Sequence, residues 1–232
     1  MITLHLLSGG AAYGLVAQLE DRFAAENDGR IAGSYSAVGL MRDQFLEGVP
    51  CDVVILTAAL IDQLQARGHV VAGSARRLGS VKTGVAVKSG EALPALATSE
   101  ELKATLLGAT GIYIPDPVKS TAGIHFMGML KQLGIGAELT ARLRPFPSGA
   151  TAMGEMARCG ESGLIGCTQV TEIRYTPGVQ LVAPLPRAFE LATVYTAAMS
   201  RSATQVQAAS AFIALMASPE NATLRRAVGF ED

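Results

Sequence analysis

Four places in the chain set small polar residues directly before a helical pattern. They are Ser8-Gly9-Gly10, Ser34-Tyr35-Ser36, the stretch from Pro117 to Ala122, and Ser148 to Thr151. The first turn of a helix carries unpaired N–H groups and the positive end of the helix dipole. Several such turns can hold an anion without any basic side chain. Ser and Thr hydroxyls beside them add rotatable donors, and Gly9 and Gly10 let backbone approach a ligand closely. Taken singly, each is the pattern of an ordinary N-cap. Four of them, in step with strand–helix units in both halves of the chain, point to anion binding.

Groups that could move protons are few. The histidines are His5, His69 and His125. His5 lies within the first strand pattern and reads as a packed or edge histidine, and His69 lies in a Gly-rich loop and reads as solvent-facing. His125 falls on the first turns of a helix that starts at one of the four sites, which makes it the candidate acid/base. The plainer reading is a helix-flank histidine bonded to a neighbour. Glu172, three residues after Gln169, is a second candidate base or a turn cap. Asp116, between two prolines, reads as a turn residue, and Lys119 as a point charge for a carboxylate or a solvated lysine. Ser8 is a candidate nucleophile with no partner spacing visible. Cys167 would need local positive potential to react. No metal constellation is present. The glycines of Gly9-Gly10-Ala11-Ala12-Tyr13-Gly14 miss the G-x-G-x-x-G spacing and no P-loop Lys follows, so neither a nucleotide nor another cofactor is called for.

The elements that must position these residues alternate between strand and helix. Ile2–Leu7 reads as a buried strand. Leu15, Leu19 and Phe23, spaced by four, give a helix over Ala11–Ala25. A strand at Arg30–Tyr35, a helix at Val38–Leu46, a strand at Cys51–Leu56 and a helix at Ile61–Ala66 follow. The second series begins with a strand at Val81–Lys88 and a helix at Ser99–Leu107, with Ser99 as N-cap. Next come a strand at Gly111–Ile114, a helix at Thr121–Leu133 closed by Gly134, a strand at Arg142–Phe146, a helix at Thr151–Arg158 and a strand at Gly163–Thr168. A Pro- and Gly-rich stretch from Tyr175 to Pro186 holds one short strand, Val179–Ala183. A strand at Ala192–Met199 and a last helix at Ala203–Met216 close the chain. This rhythm predicts an α/β fold built on parallel sheet.

Composition narrows the function classes. Of 232 residues, 49% are hydrophobic and 17% charged, enough for a sizeable core and unlike a disordered chain. The formal net charge of −1 argues against nucleic acid as a partner. No run of about 18 apolar residues suggests a membrane span. Cys51, Cys159 and Cys167 form no disulfide framework and read as thiols of a reducing compartment. Met1-Ile2-Thr3-Leu4-His5 lacks the basic region and cleavage site of a secretory signal. The expectation is a cytoplasmic protein, or a periplasmic one from which a leader was trimmed.

The chain resembles the type II periplasmic-binding-protein superfamily, in its molybdate-binding-protein-like branch, over essentially its whole length. The matching stretches are Leu7-Ser8-Gly9-Gly10-Ala11, Ser36-Ala37-Val38-Gly39-Leu40, Cys51 to Thr57, Asp116-Pro117 with Thr121 to Ile124, Gly163 to Gly166, and Val194 to Ala198. The resemblance implies two lobes around a ligand cleft: residues 1–82 and 190–232 form one lobe, 83–189 the other, with crossings near Val81–Val87 and Ala192–Tyr195 acting as a hinge. It implies ligand contacts from Ser8 with Gly9, from Ser36, from the N–H of Ala122 and from the helix start near Thr151. The family's molybdate binders place a tyrosine where this chain has Thr168-Gln169. An amide offers a donor and an acceptor, which suits a carboxylate, hydroxy acid or lactone better than a bare oxyanion.

Two functions follow from this reading. One is a small-anion binding protein of the solute-binding type, using Ser8, Gly9, Ser36, Lys119, Ala122, Thr151, Thr168 and Gln169, with an ABC permease as partner if a leader was removed. The other is a cytosolic hydrolase or isomerase of a small organic acid or lactone, with His125 or Glu172 handling protons.

Overall fold

A computed structural model describes residues 2–232; Met1, on which the reading of the chain's start turns, lies outside the described residues. The described residues form two units, 2–81 with 194–232, and 82–193.

The first unit is built on β1 (Ile2–Gly9), β2 (Gly29–Ser36), β3 (Val53–Thr57) and β9 (Ala192–Met199), in the order β2-β1-β3-β9. β1 runs parallel to β2 and β3, whereas β9 runs antiparallel to β3, from Thr57 opposite Tyr195 to Val53 opposite Met199. Val53 to Leu56 are fully buried, as a strand covered on both faces requires. The helices are α1 (Tyr13–Asn27), entered through a 3-10 turn at Gly10–Ala12, α2 (Val38–Leu46), α3 (Ala58–Ala66), α9 (Val206–Ala217) and α10 (Ala222–Val228). α1 buries Leu15, Leu19 and Phe23 on one stripe, and Phe23 meets Phe212 of α9 edge to face, ring centroids 5.2 Å apart. Asp52, just before β3, is buried. It accepts the N–H groups of His5 (2.8 Å), Thr204 (2.7 Å) and Gln205 (3.0 Å) and the Thr204 hydroxyl (3.2 Å). That carboxylate ties β1 and β3 to the entry of α9.

The second unit contains the later part of β4 (Arg76–Lys88), β5 (Gly111–Pro115), β6 (Leu143–Phe146), β7 (Leu164–Gln169) and β8 (Val179–Pro184). β5 pairs in parallel with both β6 and β7, and β4 lies antiparallel between β7 and β8. Alternation along the strands splits the core in two. Val85, Val87, Ile112, Ile114, Ile165 and Cys167 join α4 (Ser99–Gly108) and α5 (Thr121–Gln132) on one face. Ala86, Tyr113 and Leu164 join Met153 and Met156 of α7 (Gly149–Arg158) on the other. Gly166 leaves room there for the Met153 thioether, whose methyl would stand 2.5 Å from a β-carbon at that position.

Several boundaries differ from the sequence expectation for identifiable reasons. The N-cap of α4 is Thr98, not Ser99: Thr98 Oγ1 accepts the Glu101 N–H, and the Glu101 carboxylate accepts the Thr98 N–H. This is the Thr-x-x-Glu capping box, whose spacing the sequence carries. α7 begins at Gly149, two residues early, because Ser148 caps it. Short α6 (Gly136–Leu139) and α8 (Val170–Tyr175) have too few turns to show a period. α10 lies beyond Pro219, which opens a 3-10 turn and does not end the helical region, so Ala203–Met216 is not the last helix. Among the described residues, no helix is long and apolar enough to cross a membrane, and no cluster of three His, Cys, Asp or Glu side chains could hold a metal.

Candidate functional site

In the first unit, register decides where the small residues go. Gly9 pairs with Ser36 and Ser8 with Ile55, so the turns after β1, β2 and β3 leave from one edge, at the carboxyl ends of parallel strands. That edge is where open α/β sheets bind ligands. Ser8 is fully buried and its hydroxyl donates to the Gly9 carbonyl at 2.9 Å. Gly9 must be glycine, since a β-carbon would stand 2.6 Å from Val38 Cγ1 and 3.1 Å from the Tyr195 ring. Ser36 is half-buried at the last position of β2, and α2 follows after Ala37 with no side-chain cap. Tyr13 and Tyr35 meet edge to face beside these turns, centroids 5.0 Å apart. Burial raises the Tyr35 phenol above its ordinary pKa.

The second unit repeats the device. β5, β6 and β7 are parallel and end at Pro115, Phe146 and Gln169. After β5, the Asp116 carboxylate accepts the N–H groups of Val118 (2.7 Å) and Lys119 (2.9 Å), so Asp116 shapes the turn. Lys119 is exposed in that turn. The turn brings Ala122, 1% exposed, into the first turn of α5. Gly123 allows this packing: a β-carbon there would lie 2.2 Å from the Asp116 carbonyl. Ser120, at the N-cap of α5, makes no side-chain cap bond.

The start of α7 behaves differently. Thr151 N–H donates to Ser148 Oγ at 3.1 Å, and the two hydroxyls are 2.9 Å apart. The Glu172 carboxyl reaches the same helix start, accepting from the backbone N–H groups of Ala150 and Gln169 and from the Thr168 hydroxyl. α7 therefore already serves an internal carboxyl, and the N–H of Thr151 is engaged. Burial raises the Glu172 pKa against the lowering effect of those three donors.

Beside this lies an unsatisfied group. Gln169 is 3% exposed, and neither its amide nitrogen nor its amide oxygen has a partner. The hydroxyls of Thr83, Thr171 and Thr193 are also buried and unbonded. Sequence reasoning selects Thr168 and Gln169 but passes over these three threonines; the only signal in the sequence is a lone hydroxyl in an apolar strand pattern.

The candidate proton-movers fare unevenly. The His125 ring Nε2 lies 2.8 Å from the Phe189 carbonyl oxygen. A carbonyl only accepts, so Nε2 carries the proton and Nδ1 alone remains. Cys167 is buried and its thiol is pushed above the ordinary range by burial; Cys51, also buried, is pushed up to about 12.

Comparison with known proteins agrees with this architecture. The family model for bacterial extracellular solute-binding proteins matches residues 4–231. An aconitate isomerase from a Pseudomonas species is 25% identical over 228 residues, which cover 95% of this chain and 84% of that protein. The periplasmic molybdate-binding protein of Azotobacter vinelandii superposes with a TM-score of 0.81 at 21% identity, covering 99% of both chains. The sulfate-binding protein SubI of Mycobacterium tuberculosis gives 0.73 at 16%, covering 99% of this chain and 86% of that one. These likenesses show the type II periplasmic-binding-protein-like fold, of the molybdate-binding-like kind.

Proposed function

The chain belongs to the bacterial extracellular solute-binding protein family, and from that premise we propose that its solute is a small anion. One observation carries the reading. Among helices of eight or more residues, α3, α4 and α7 are capped by Thr57, Thr98 and Ser148, and α9, which has no cap from its own N-cap residue, has the Asp52 carboxylate on the N–H groups of Thr204 and Gln205 at its entry, whereas α1, α2 and α5 have no side-chain cap. The last three are the helices that follow the Ser8-Gly9, Ser36 and Asp116–Ser120 turns. The first-turn N–H groups of α2 in the first unit and of α5 in the second, with neighbouring hydroxyls, each suit an anion, whereas α1 is entered through a 3-10 turn whose Gly10 carbonyl takes the Tyr13 N–H. Structural neighbours named for molybdate and sulfate support this choice. An ABC permease is the partner that transport of such a solute calls for.

The test is calorimetric titration and thermal shift with molybdate, sulfate and small carboxylates. At a concentration of 100 times Kd, a true ligand adds about 2.7 kcal/mol of stability, or a rise of about 5–10 °C in Tm for a chain of this size. Ser8→Ala should weaken that ligand about tenfold with the fold intact. If no small anion raises Tm, the reading fails.

A second reading, an isomerase of a small organic acid, is favoured by the 25% identity to an aconitate isomerase over nearly the whole chain. It is tested by following cis- and trans-aconitate with protein by NMR. Interconversion above background, abolished by Glu172→Gln or His125→Ala, supports it; absence of interconversion removes it.

A further inference from the structure

Thr83 and Gln169 face each other as partners in the antiparallel β4–β7 pair, so their side chains emerge side by side on one face of the sheet. Thr83 is 1% exposed and Gln169 3%, yet neither the Thr83 hydroxyl nor either amide atom of Gln169 is hydrogen-bonded. Thr171 lies two residues beyond Gln169. Thr193 lies two residues beyond Leu191, whose carbonyl accepts the Thr83 N–H at 3.0 Å. Their hydroxyls are buried and unbonded as well. Buried polar atoms in native proteins almost always find partners. The adjacent Thr83 and Gln169 side chains, both unsatisfied, mark a place where something else completes the bonding.

The chemistry of that place selects the ligand. Whichever way the Gln169 amide is turned, it presents one acceptor and one donor pair. A fully ionised tetrahedral oxyanion or a plain carboxylate only accepts, so it leaves the amide oxygen unpaired in a buried site. A ligand with a hydroxyl next to its carboxylate supplies both partners, and the Thr83 hydroxyl can turn to match. Resting on the small-anion reading above, we propose that Gln169 and Thr83 form a subsite for the hydroxyl of a hydroxycarboxylate. A site built to bond a hydroxyl rejects the analogue without it, because its own polar groups are then left unpaired.

The experiment uses the full chain and matched pairs that differ by one hydroxyl: citrate against tricarballylate and malate against succinate, with cis- and trans-aconitate, molybdate and sulfate beside them. The hydroxylated member of at least one pair should bind at least about tenfold tighter than its partner, and tighter than aconitate or either inorganic anion. Gln169→Leu and Thr83→Val should each bring that ratio to within about twofold. Ligand-free Gln169→Leu should melt at or above the wild-type temperature, because it removes a buried amide that has no partner; a lower Tm would mean that the amide serves the fold. Tighter or equal binding of tricarballylate, succinate, aconitate, molybdate or sulfate overturns the subsite and leaves the small-anion reading standing. A hydroxyl preference that survives Gln169→Leu means that the subsite holds ordered water only, and also overturns it. No response to any of these anions overturns both.

Discussion

Two buried carboxyl groups have opposite fates. Burial works against ionisation of Asp52, but the bonds from His5, Gln205 and Thr204 outweigh it and hold its pKa below the ordinary value. Its stabilisation is therefore complete at neutral pH and is lost as pH falls through the depressed folded-state pKa. Asp52→Asn should cost about 1.5–3 kcal/mol at pH 7. The gap between variant and wild type should close in acid, as read by urea melts at pH 7 and below pH 4. Glu172 has the reverse sign. Its pKa is raised in the folded state, so the fold holds the proton more tightly than the unfolded chain does, and ionisation at higher pH works against folding. Asp52 lies in the sequence as a lone charge in an apolar strand pattern, and Glu172 as a residue three after Gln169. The opposite shifts depend on which backbone N–H groups converge on them, and those come from elements far away in sequence for Asp52.

At the scale of elements, capping separates helices that are finished internally from those that are not. Thr98→Ala should destabilise the protein by about 0.5–2 kcal/mol, since it removes a working cap. Ser120→Ala should change stability far less, since that side chain caps nothing. Gly149→Ala tests the packing of Glu172 against α7. A β-carbon would lie 1.9 Å from the Thr168 hydroxyl oxygen and 2.0 Å from a Glu172 carboxyl oxygen, and such overpacking costs about 1–3 kcal/mol. Thermal melts of the three variants check these values together. Most elements are legible in the sequence, because strand runs such as Ile2–Leu7 and the Leu15–Leu19–Phe23 stripe carry their period in plain view. The uncapped state of α5 is not legible. Ser120 has the right residue type for a cap, and only the path of the Asp116 turn leaves its hydroxyl unused. The unbonded state of Thr83 and Gln169 is likewise a property of neighbours that the local sequence does not record.

At the scale of the whole molecule, the second unit is one continuous segment, whereas the first is assembled from two. β3 has its antiparallel partner in β9, and Phe23 has its ring partner on α9. A fragment of residues 82–193 should fold cooperatively in circular-dichroism melts. A fragment of residues 1–81 should not, because it lacks β9, α9 and the Thr204–Gln205 donors that satisfy Asp52. Stable folding of residues 1–81 alone would contradict this account of its core.

The same discontinuity sets a clock during synthesis. Val54 waits for Ala198, 144 residues later in the chain. At elongation rates of about 5–20 residues per second, that wait is roughly 7–29 s. Through it the edge of β3 stands open, an apolar strand with unpaired backbone groups of the kind that recruits other chains. An open strand edge during synthesis is thus an aggregation hazard that the stability of the finished fold does not remove.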